Sequence, residues 1–104
     1  MATRAPQRRA SPRAVLECEV TLSRGRGGDV RCRTQDLGPG GMRVAAERPL
    51  KPDEQLSFVV VLADGARVAG TAHVVREHSY RCYALCFERL EPGDVERLRA
   101  LPAA

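Results

Sequence analysis

Hydrophobic residues alternate with polar residues along most of the chain, and a period of two predicts β-strands. In the first run, Leu16, Cys18 and Val20 fall on one face, whereas Glu17 and Glu19 fall on the other. Successive strand residues point to opposite faces, so one face of each run is expected to be buried. The alternation predicts six strands, over residues 14–23, 29–36, 42–46, 55–63, 66–77 and 80–90.

The end of the chain changes to a helical period. Val95, Leu98 and Leu101 recur at helical spacing, and Asp94 stands where a capping residue is expected. We therefore predict a helix at about residues 92–101. Short antiparallel strands followed by one terminal helix predict an all-β fold, a small six-stranded β-barrel that is closed or nearly closed. The C-terminal helix is expected to cover an opening or an edge of this barrel.

The corner between the second and third predicted strands is rich in turn residues. It carries Gly38, Pro39, Gly40 and Gly41 shortly after the acidic Asp36, whereas a hairpin needs only two turn residues. Two explanations stay open: a long flexible loop, or a backbone that must come close to a ligand or an arm. Glycine lets backbone N–H groups approach a phosphate without a Cβ in the way.

The chain of 104 residues is long enough for one domain with a modest core, and its net charge is concentrated at one end. Arginines in the first 13 residues, which include no acidic residue, account for the whole formal charge of +4. A local anionic partner or a solvated basic tail explains such an arm. No apolar run approaches a membrane span and no secretory signal is visible, so we expect a cytoplasmic protein without membrane insertion.

The residue types that bind metals or catalyse reactions are present, but their spacing favours neither role. The cysteines lack the paired spacing of a zinc site, and neither His73 nor His78 is spaced with them as a ligand. Cys18 and Cys32 are in phase with core positions, and the other two cysteines share one face of the last strand. No nucleophile pairs with a base, so we expect no catalytic residues, no metal and no cofactor. His73 is expected to be structural, and His78 to lie in a turn.

Some small barrels bind nucleic acid through aromatic side chains that stack on bases. The aromatic residues of this chain are Phe58, Tyr80, Tyr83 and Phe87, which are too few for a stacking surface. Tyr83 and Phe87 are also in phase with Leu85, which predicts that they belong to the core. We therefore expect no DNA or RNA partner.

The arginine arm and the glycine corner together match the chemistry of a guanine nucleotide. Guanidinium groups such as those of Arg9 and Arg13 grip phosphate, stack on bases, or bond to the O6 and N7 edge of guanine. The carboxylate of Asp36 accepts hydrogen bonds from guanine N1 and N2, which are donors. Pro12 disfavours helix at Ser11, so the arm is predicted to be extended or turned.

These residues resemble the two signature motifs of the PilZ family, receptors for the bacterial messenger cyclic di-GMP. The family carries R-x-x-x-R before the first strand, and this chain reads RASPR at residues 9–13. The family carries [D/N]-x-S-x-x-G between the second and third strands, and this chain reads DLGPGG at residues 36–41. The resemblance continues through GGMRV, HVVRE and YALCF. It covers roughly residues 8–101, after a flexible basic arm at residues 1–7.

The resemblance implies a six-stranded barrel that binds cyclic di-GMP on its outer surface, often as a stacked pair. Carried over by position, Arg9 and Arg13 would contact guanine and phosphate. Asp36 would contact a guanine edge, and Gly41 would allow a tight turn. Arg8 precedes the first motif, and in the family a basic residue there is associated with the stacked pair.

Gly38 departs from the family pattern, which usually has serine at this position. Its N–H stays a candidate ligand contact, but a hydroxyl is missing. Losing a hydrogen bond to a charged group costs about 1.5–3 kcal/mol, about 10- to 100-fold in affinity. Two functions therefore stay open. The first is a non-catalytic cyclic di-GMP receptor whose arm changes conformation and which signals to a separate, unidentified protein partner. The second is a degenerate interaction module that does not bind the nucleotide.

Overall fold

A computed structural model describes residue 14 and residues 16–101 and shows a closed β-barrel followed by a helix. A short 3-10 helix, Gly25–Gly27, connects the first two strands. The predicted all-β barrel of six antiparallel strands with a C-terminal helix is confirmed. The elements in chain order are β1 (Glu19–Ser23), β2 (Asp29–Gly38), β3 (Gly41–Ala46), β4 (Gln55–Val61), β5 (Arg67–Ser79), β6 (Cys82–Leu90) and α1 (Pro92–Arg99).

The strand order around the barrel brings distant parts of the sequence together. Neighbouring strands follow the order β1, β2, β3, β6, β5, β4, and β4 closes on β1. After β3 the chain crosses to another part of the barrel to form β4, and β3 pairs instead with β6, which comes much later in the chain. The end of β2, the start of β3 and the later half of β6 therefore meet on one part of the wall.

The interior holds the apolar face that the alternation predicts. Cys18 and Cys32 belong to this core, and so does Tyr83, which is 2% exposed. Phe87 packs against the core and stacks on Phe58, with ring centroids 4.8 Å apart. These positions confirm the prediction that both cysteines and both aromatic residues of β6 are structural.

Helix α1 packs on the barrel through Leu98, which is 2% exposed. The prediction that Asp94 caps the helix is wrong, because Glu91 occupies the N-cap position and Pro92 begins the helix. Proline suits the first helical position because its fixed φ matches the helix and its missing N–H costs nothing there. Within the described part of the chain, no helix has the length and apolarity that crossing a membrane requires.

Strand β5 runs further than the alternation predicts. Its pairing with β6 shifts register three times, and two of these shifts add a residue to β5, Val75 and His78, which breaks the period of two. Residues 75–79 are all exposed, so this end of the strand has no apolar face to reveal it. His78, which was predicted in a turn, therefore lies in the exposed end of β5.

Candidate functional site

The glycine corner is a tight hairpin. β2 continues to Gly38 and β3 begins at Gly41, so that only Pro39 and Gly40 form the turn between them. Gly38 and Gly41 face each other as a cross-strand pair. The explanation of the corner as a long flexible loop is therefore wrong. The strands were predicted too short because glycine has no side chain that would extend the hydrophobic alternation.

The last glycine of the corner, Gly41, lies where the neighbouring strand β6 leaves no room for a side chain. Gly41 pairs with Cys86 of β6, and a Cβ at Gly41 would collide with the backbone carbonyl oxygen of Leu85. The N–H of Phe87 donates to the carbonyl of Gly40 at 3.0 Å, which continues the contact with β6 around the turn. Gly41 thus lies beside the turn, and its small size lets β3 and β6 approach each other.

The acidic residue of the second motif faces a basic residue across the same hairpin. Asp36 pairs with Arg43, and the pairing of β2 with β3 shifts by one residue between Thr34 and Asp36. Such a bulge re-aims the side chains that follow it. The Nε atom of Arg43 lies 3.9 Å from Oδ2 of Asp36, which is longer than a hydrogen bond. Motif reasoning missed Arg43, although its place two residues after Gly41 predicts the same outer face.

Short side chains surround this charged pair on the outer side of the barrel. Arg43 pairs with Ala84 of β6, and Gly41 pairs with Cys86. These residues alternate with core residues and therefore face outwards. We call Asp36, Gly41, Arg43, Ala84 and Cys86 the motif face. A flat ligand laid on the motif face would meet no long side chain from β6 among these residues.

The chain that leads into β1 is fixed against the end of β2. The N–H of Ala14 donates to the carbonyl of Leu37 at 2.8 Å, and the N–H of Leu37 donates to the carbonyl of Ala14 at 2.9 Å. The buried hydroxyl of Thr34 donates to the carbonyl of Leu16 at 2.6 Å and accepts from the N–H of Cys18 at 2.8 Å. Thr34 therefore holds this segment along β2, a role that sequence reasoning missed because it depends on strand pairing.

This attachment relates the two motifs to each other. Arg8, Arg9 and Arg13 lie outside the described residues, so their predicted contacts stay predictions. The residue after the second arginine of the first motif is Ala14, and its partner Leu37 lies within the second motif. Ala14, which follows the first motif in the sequence, is therefore bonded to the strand that carries the second motif.

The four cysteines fall into two chemical classes, and all are free thiols. Burial raises the pKa of Cys18, and burial raises the pKa of Cys32 to about 12. Cys86 is exposed, and Cys82 is half-buried and accepts a hydrogen bond from Gln35 Nε2 at 3.5 Å. Since the thiolate is the reactive form, the core cysteines are expected to be inert, whereas the two cysteines of β6 report on the outer wall.

His73 lies on the neighbouring part of the outer wall and has a partner. Its Nδ1 atom is 3.0 Å from Oε2 of Glu88, and Nε2 of Gln55 donates to the same carboxylate at 3.3 Å. This arrangement accounts for His73 as a structural residue, as the sequence predicts. Among the residues that the structure describes, no group of three or more His, Cys, Asp or Glu side chains is placed to hold a metal ion.

A groove of about 580 Å³ lies on the same wall, away from the motif face. Its lining includes Glu19 of β1, Arg31 and Arg33 of β2, and Ala45 of β3. No residue of the motif face lines the groove, although Ala45 is the next outward-facing residue after Arg43 on β3.

Comparisons with known proteins identify what the fold and the motifs resemble. The family model described as PilZ domain matches residues 7–103. No curated protein matches the chain in sequence. Among solved structures, the Bacillus subtilis inhibitor of motility (MotI/DgrA) matches with a TM-score of 0.76 and 19% identity, over 91% of this chain and 49% of that one. This chain therefore spans about half the length of that protein, and the likeness shows a shared fold.

Proposed function

Because this chain belongs to the PilZ domain family, whose members are cyclic di-GMP receptors and adaptors, we propose that it is a non-catalytic receptor for cyclic di-GMP. The observation that carries the proposal is the backbone bridge between Ala14 and Leu37. It fixes Ala14, the residue that follows the arginine motif in the sequence, to the strand of the Asp36 motif. The proposal needs both motifs at one site, and the bridge supports it because Leu37, the partner of Ala14, directly follows Asp36.

Each motif residue would then have a distinct chemical task. Asp36, whose side chain is 17% exposed, accepts hydrogen bonds from guanine N1 and N2. Arg9 and Arg13 bond to the O6 and N7 edge of guanine and to phosphate oxygens. Gly38 lacks the hydroxyl that serine would supply, so we expect weaker binding than serine would give.

Charge supports a stacked pair of ligands. Cyclic di-GMP is a dianion, so a stacked pair would match the net charge of +4 that the N-terminal arm carries. Arg8 adds a cation directly before the first motif. Binding would neutralise this arm and order it against the barrel, and a cytoplasmic protein partner that recognises only the ordered surface would then be switched.

Isothermal titration calorimetry with cyclic di-GMP tests the proposal. We expect saturable binding at about micromolar affinity or tighter, and a stoichiometry that distinguishes one ligand from a pair. The double variant Arg9→Ala, Arg13→Ala should lose this binding. The matched control is Arg97→Ala, Arg99→Ala, which removes the same charge from helix α1 and should bind like the parent. Equal binding by the Arg9 and Arg13 double variant would contradict the assigned roles.

Alkylation of Cys86 gives a second readout that reports where the ligand lies. Cys86 is exposed and pairs with Gly41 on the motif face. Bound cyclic di-GMP should slow its reaction with iodoacetamide, measured by mass spectrometry of the β6 peptide. Binding that leaves the alkylation rate of Cys86 unchanged would place the ligand elsewhere on the molecule.

Gly38 favours a second candidate function, a protein-interaction module that has lost the nucleotide. No heat at high ligand concentration, together with no change in an optical binding assay, would support this alternative. A pull-down should then recover protein partners in equal amounts with and without cyclic di-GMP. If the amount of partner protein recovered depends on cyclic di-GMP, the chain is a receptor and this second candidate function is wrong.

A further inference from the structure

Arg43 on the motif face has a buried nitrogen, its Nε atom, that lacks a hydrogen bond within the described part of the chain. The nearest carboxylate oxygen, Oδ2 of Asp36, is 3.9 Å away. A buried donor without an acceptor is unfavourable and requires an explanation, and a ligand that holds the exposed part of the Arg43 side chain is one.

The surroundings of Arg43 leave its guanidinium accessible. The side chain is 37% exposed, although its Nε atom is buried. Its neighbours on the same outer face are Gly41 and Ala45 of β3 and Ala84 of β6. All three are glycine or alanine, so no long side chain from these positions covers the guanidinium. Arg43 also stands on β3, which is hydrogen-bonded on both sides and therefore holds its position firmly.

Arg43 and Asp36 present a donor and an acceptor side by side. Guanine presents the complementary set, because its N1 and N2 are donors and the adjacent O6 is an acceptor. Adenine reverses this edge, with a donor at N6 and an acceptor at N1. A carboxylate alone would also repel the phosphates of a nucleotide, and the guanidinium of Arg43 offsets that repulsion.

We propose that Arg43 and Asp36 together read the Watson–Crick edge of one guanine base, so that Arg43 determines the preference for guanine over adenine. Asp36 accepts from N1 and N2, and Arg43 donates to O6. This assignment rests on the proposed function and adds to it a residue outside both signature motifs. A site built to hydrogen-bond one edge rejects an analogue that leaves its buried polar groups unpaired.

The test compares cyclic di-GMP with cyclic di-AMP on the parent and on Arg43→Met, which keeps an apolar stem and removes every donor. The parent should prefer cyclic di-GMP. Arg43→Met should lose about 10- to 100-fold in affinity for cyclic di-GMP, the range for a hydrogen bond to a charged group. Its weak affinity for cyclic di-AMP should change far less, so the ratio of the affinity for cyclic di-GMP to that for cyclic di-AMP should fall.

Two further variants separate hydrogen bonding from charge. Arg33→Met removes the same charge from the outer side of β2, where Arg33 faces Ala45 rather than Asp36. Arg33→Met should lower the affinities for both ligands by the same small factor and so keep the ratio of the two affinities. Arg43→Lys keeps the charge but replaces the planar fork with a single ammonium, so the ratio should fall only partly. Arg43→Lys also carries the test if Arg43→Met fails to fold, which circular dichroism and urea unfolding would reveal.

The outcomes distinguish the two levels of the assignment. If the parent binds cyclic di-GMP and Arg43→Met keeps the parental ratio, Arg43 contributes only charge and the specificity role is wrong. The same conclusion follows for a parent that binds cyclic di-AMP as tightly as cyclic di-GMP. A parent that binds neither ligand overturns the proposed function itself, and the guanine assignment with it.

Discussion

At the scale of single residues, an ion pair away from the motif face ties the β3–β4 connection to the β1–β2 connection. Arg24 and Glu54 form two hydrogen bonds, Nε to Oε2 at 2.7 Å and Nη2 to Oε1 at 3.0 Å. Arg24 Nη2 also donates to the carbonyl of Pro49 at 2.7 Å. The side chains of the pair are 18% and 19% exposed. The hydrogen bond from Arg24 holds the pKa of the Glu54 carboxyl below its usual range, and Glu54 raises the pKa of Arg24.

This pair predicts a pH-dependent contribution to stability. Because the folded-state pKa of Glu54 is lowered, its contribution is fully present above the ordinary glutamate pKa and is lost as the pH falls through the lowered value. Glu54→Gln should therefore lower the free energy of unfolding by about 1–3 kcal/mol near pH ~7. This difference from the parent should shrink towards zero well below pH ~4.

Urea unfolding of the parent and Glu54→Gln across this pH range measures the effect. The matched control is Glu96→Gln, because Glu96 pairs with Arg99 on α1 but is 72% exposed. Exposed pairs contribute little, so Glu96→Gln should stay close to the parent at every pH. A constant difference between Glu54→Gln and the parent down to acidic pH would show that lost packing, and not the charge, is responsible.

At the scale of elements, the junction of β3 and β6 depends on Gly41. Gly41→Ala should lower the free energy of unfolding by about 1–3 kcal/mol or more, because the new Cβ collides with the Leu85 carbonyl and the strands must separate. The control is Gly93→Ala in α1, where a Cβ meets no other atom. Alanine is the better helix former, so Gly93→Ala should leave stability unchanged or raise it by up to about 1 kcal/mol.

Chemical denaturation followed by circular dichroism measures both variants. Under the proposed function, Gly41→Ala should also weaken cyclic di-GMP binding, since the motif face lies over the same junction. Parental stability in Gly41→Ala would mean that β6 moves away at no cost and that the close approach of the strands is incidental.

The elements also show which features the sequence could predict. Burial imposes a period of two on every strand inside the barrel, so alternation predicts the strands and the core. That period fails where burial ends, as at residues 75–79 of β5. The pairing of Asp36 with Arg43 and the double hydrogen bond of Thr34 require knowing which strands are neighbours and in which register. The hydrophobic period predicts neither the strand neighbours nor their register. A family motif includes only residues that recur within the family, and Arg43 and Thr34 are outside both motifs.

At the scale of the whole molecule, the cysteines report on the cooperativity of the barrel. In the native protein at about pH 8, iodoacetamide should modify Cys86 first and Cys82 next. Cys18 and Cys32 should react only when the barrel opens, because both are in the core and burial raises their pKa values. Added urea should accelerate the reactions of Cys18 and Cys32 by the same factor, because closed barrels have no free edge from which to unravel.

Peptide mass spectrometry over a urea series provides this measurement. Cys18 precedes β1, and Cys32 lies in the middle of β2. A Cys18 that reacts much faster than Cys32 would show that the segment before β1 opens on its own, independently of the rest of the barrel.

The backbone bridge at Ala14 also has a consequence for the ligand binding that we propose. Arg13 and Arg9 stand one and five residues before this bridge in the sequence. Under the proposed function, groups tethered so closely would meet a ligand on the motif face as intramolecular partners, at an effective concentration of about millimolar. If the same arginines were on a separate peptide, that peptide would have to be supplied at about millimolar concentration to contribute equally to binding. The affinity of the motif face is therefore expected to depend on chain connectivity as much as on the contacts themselves.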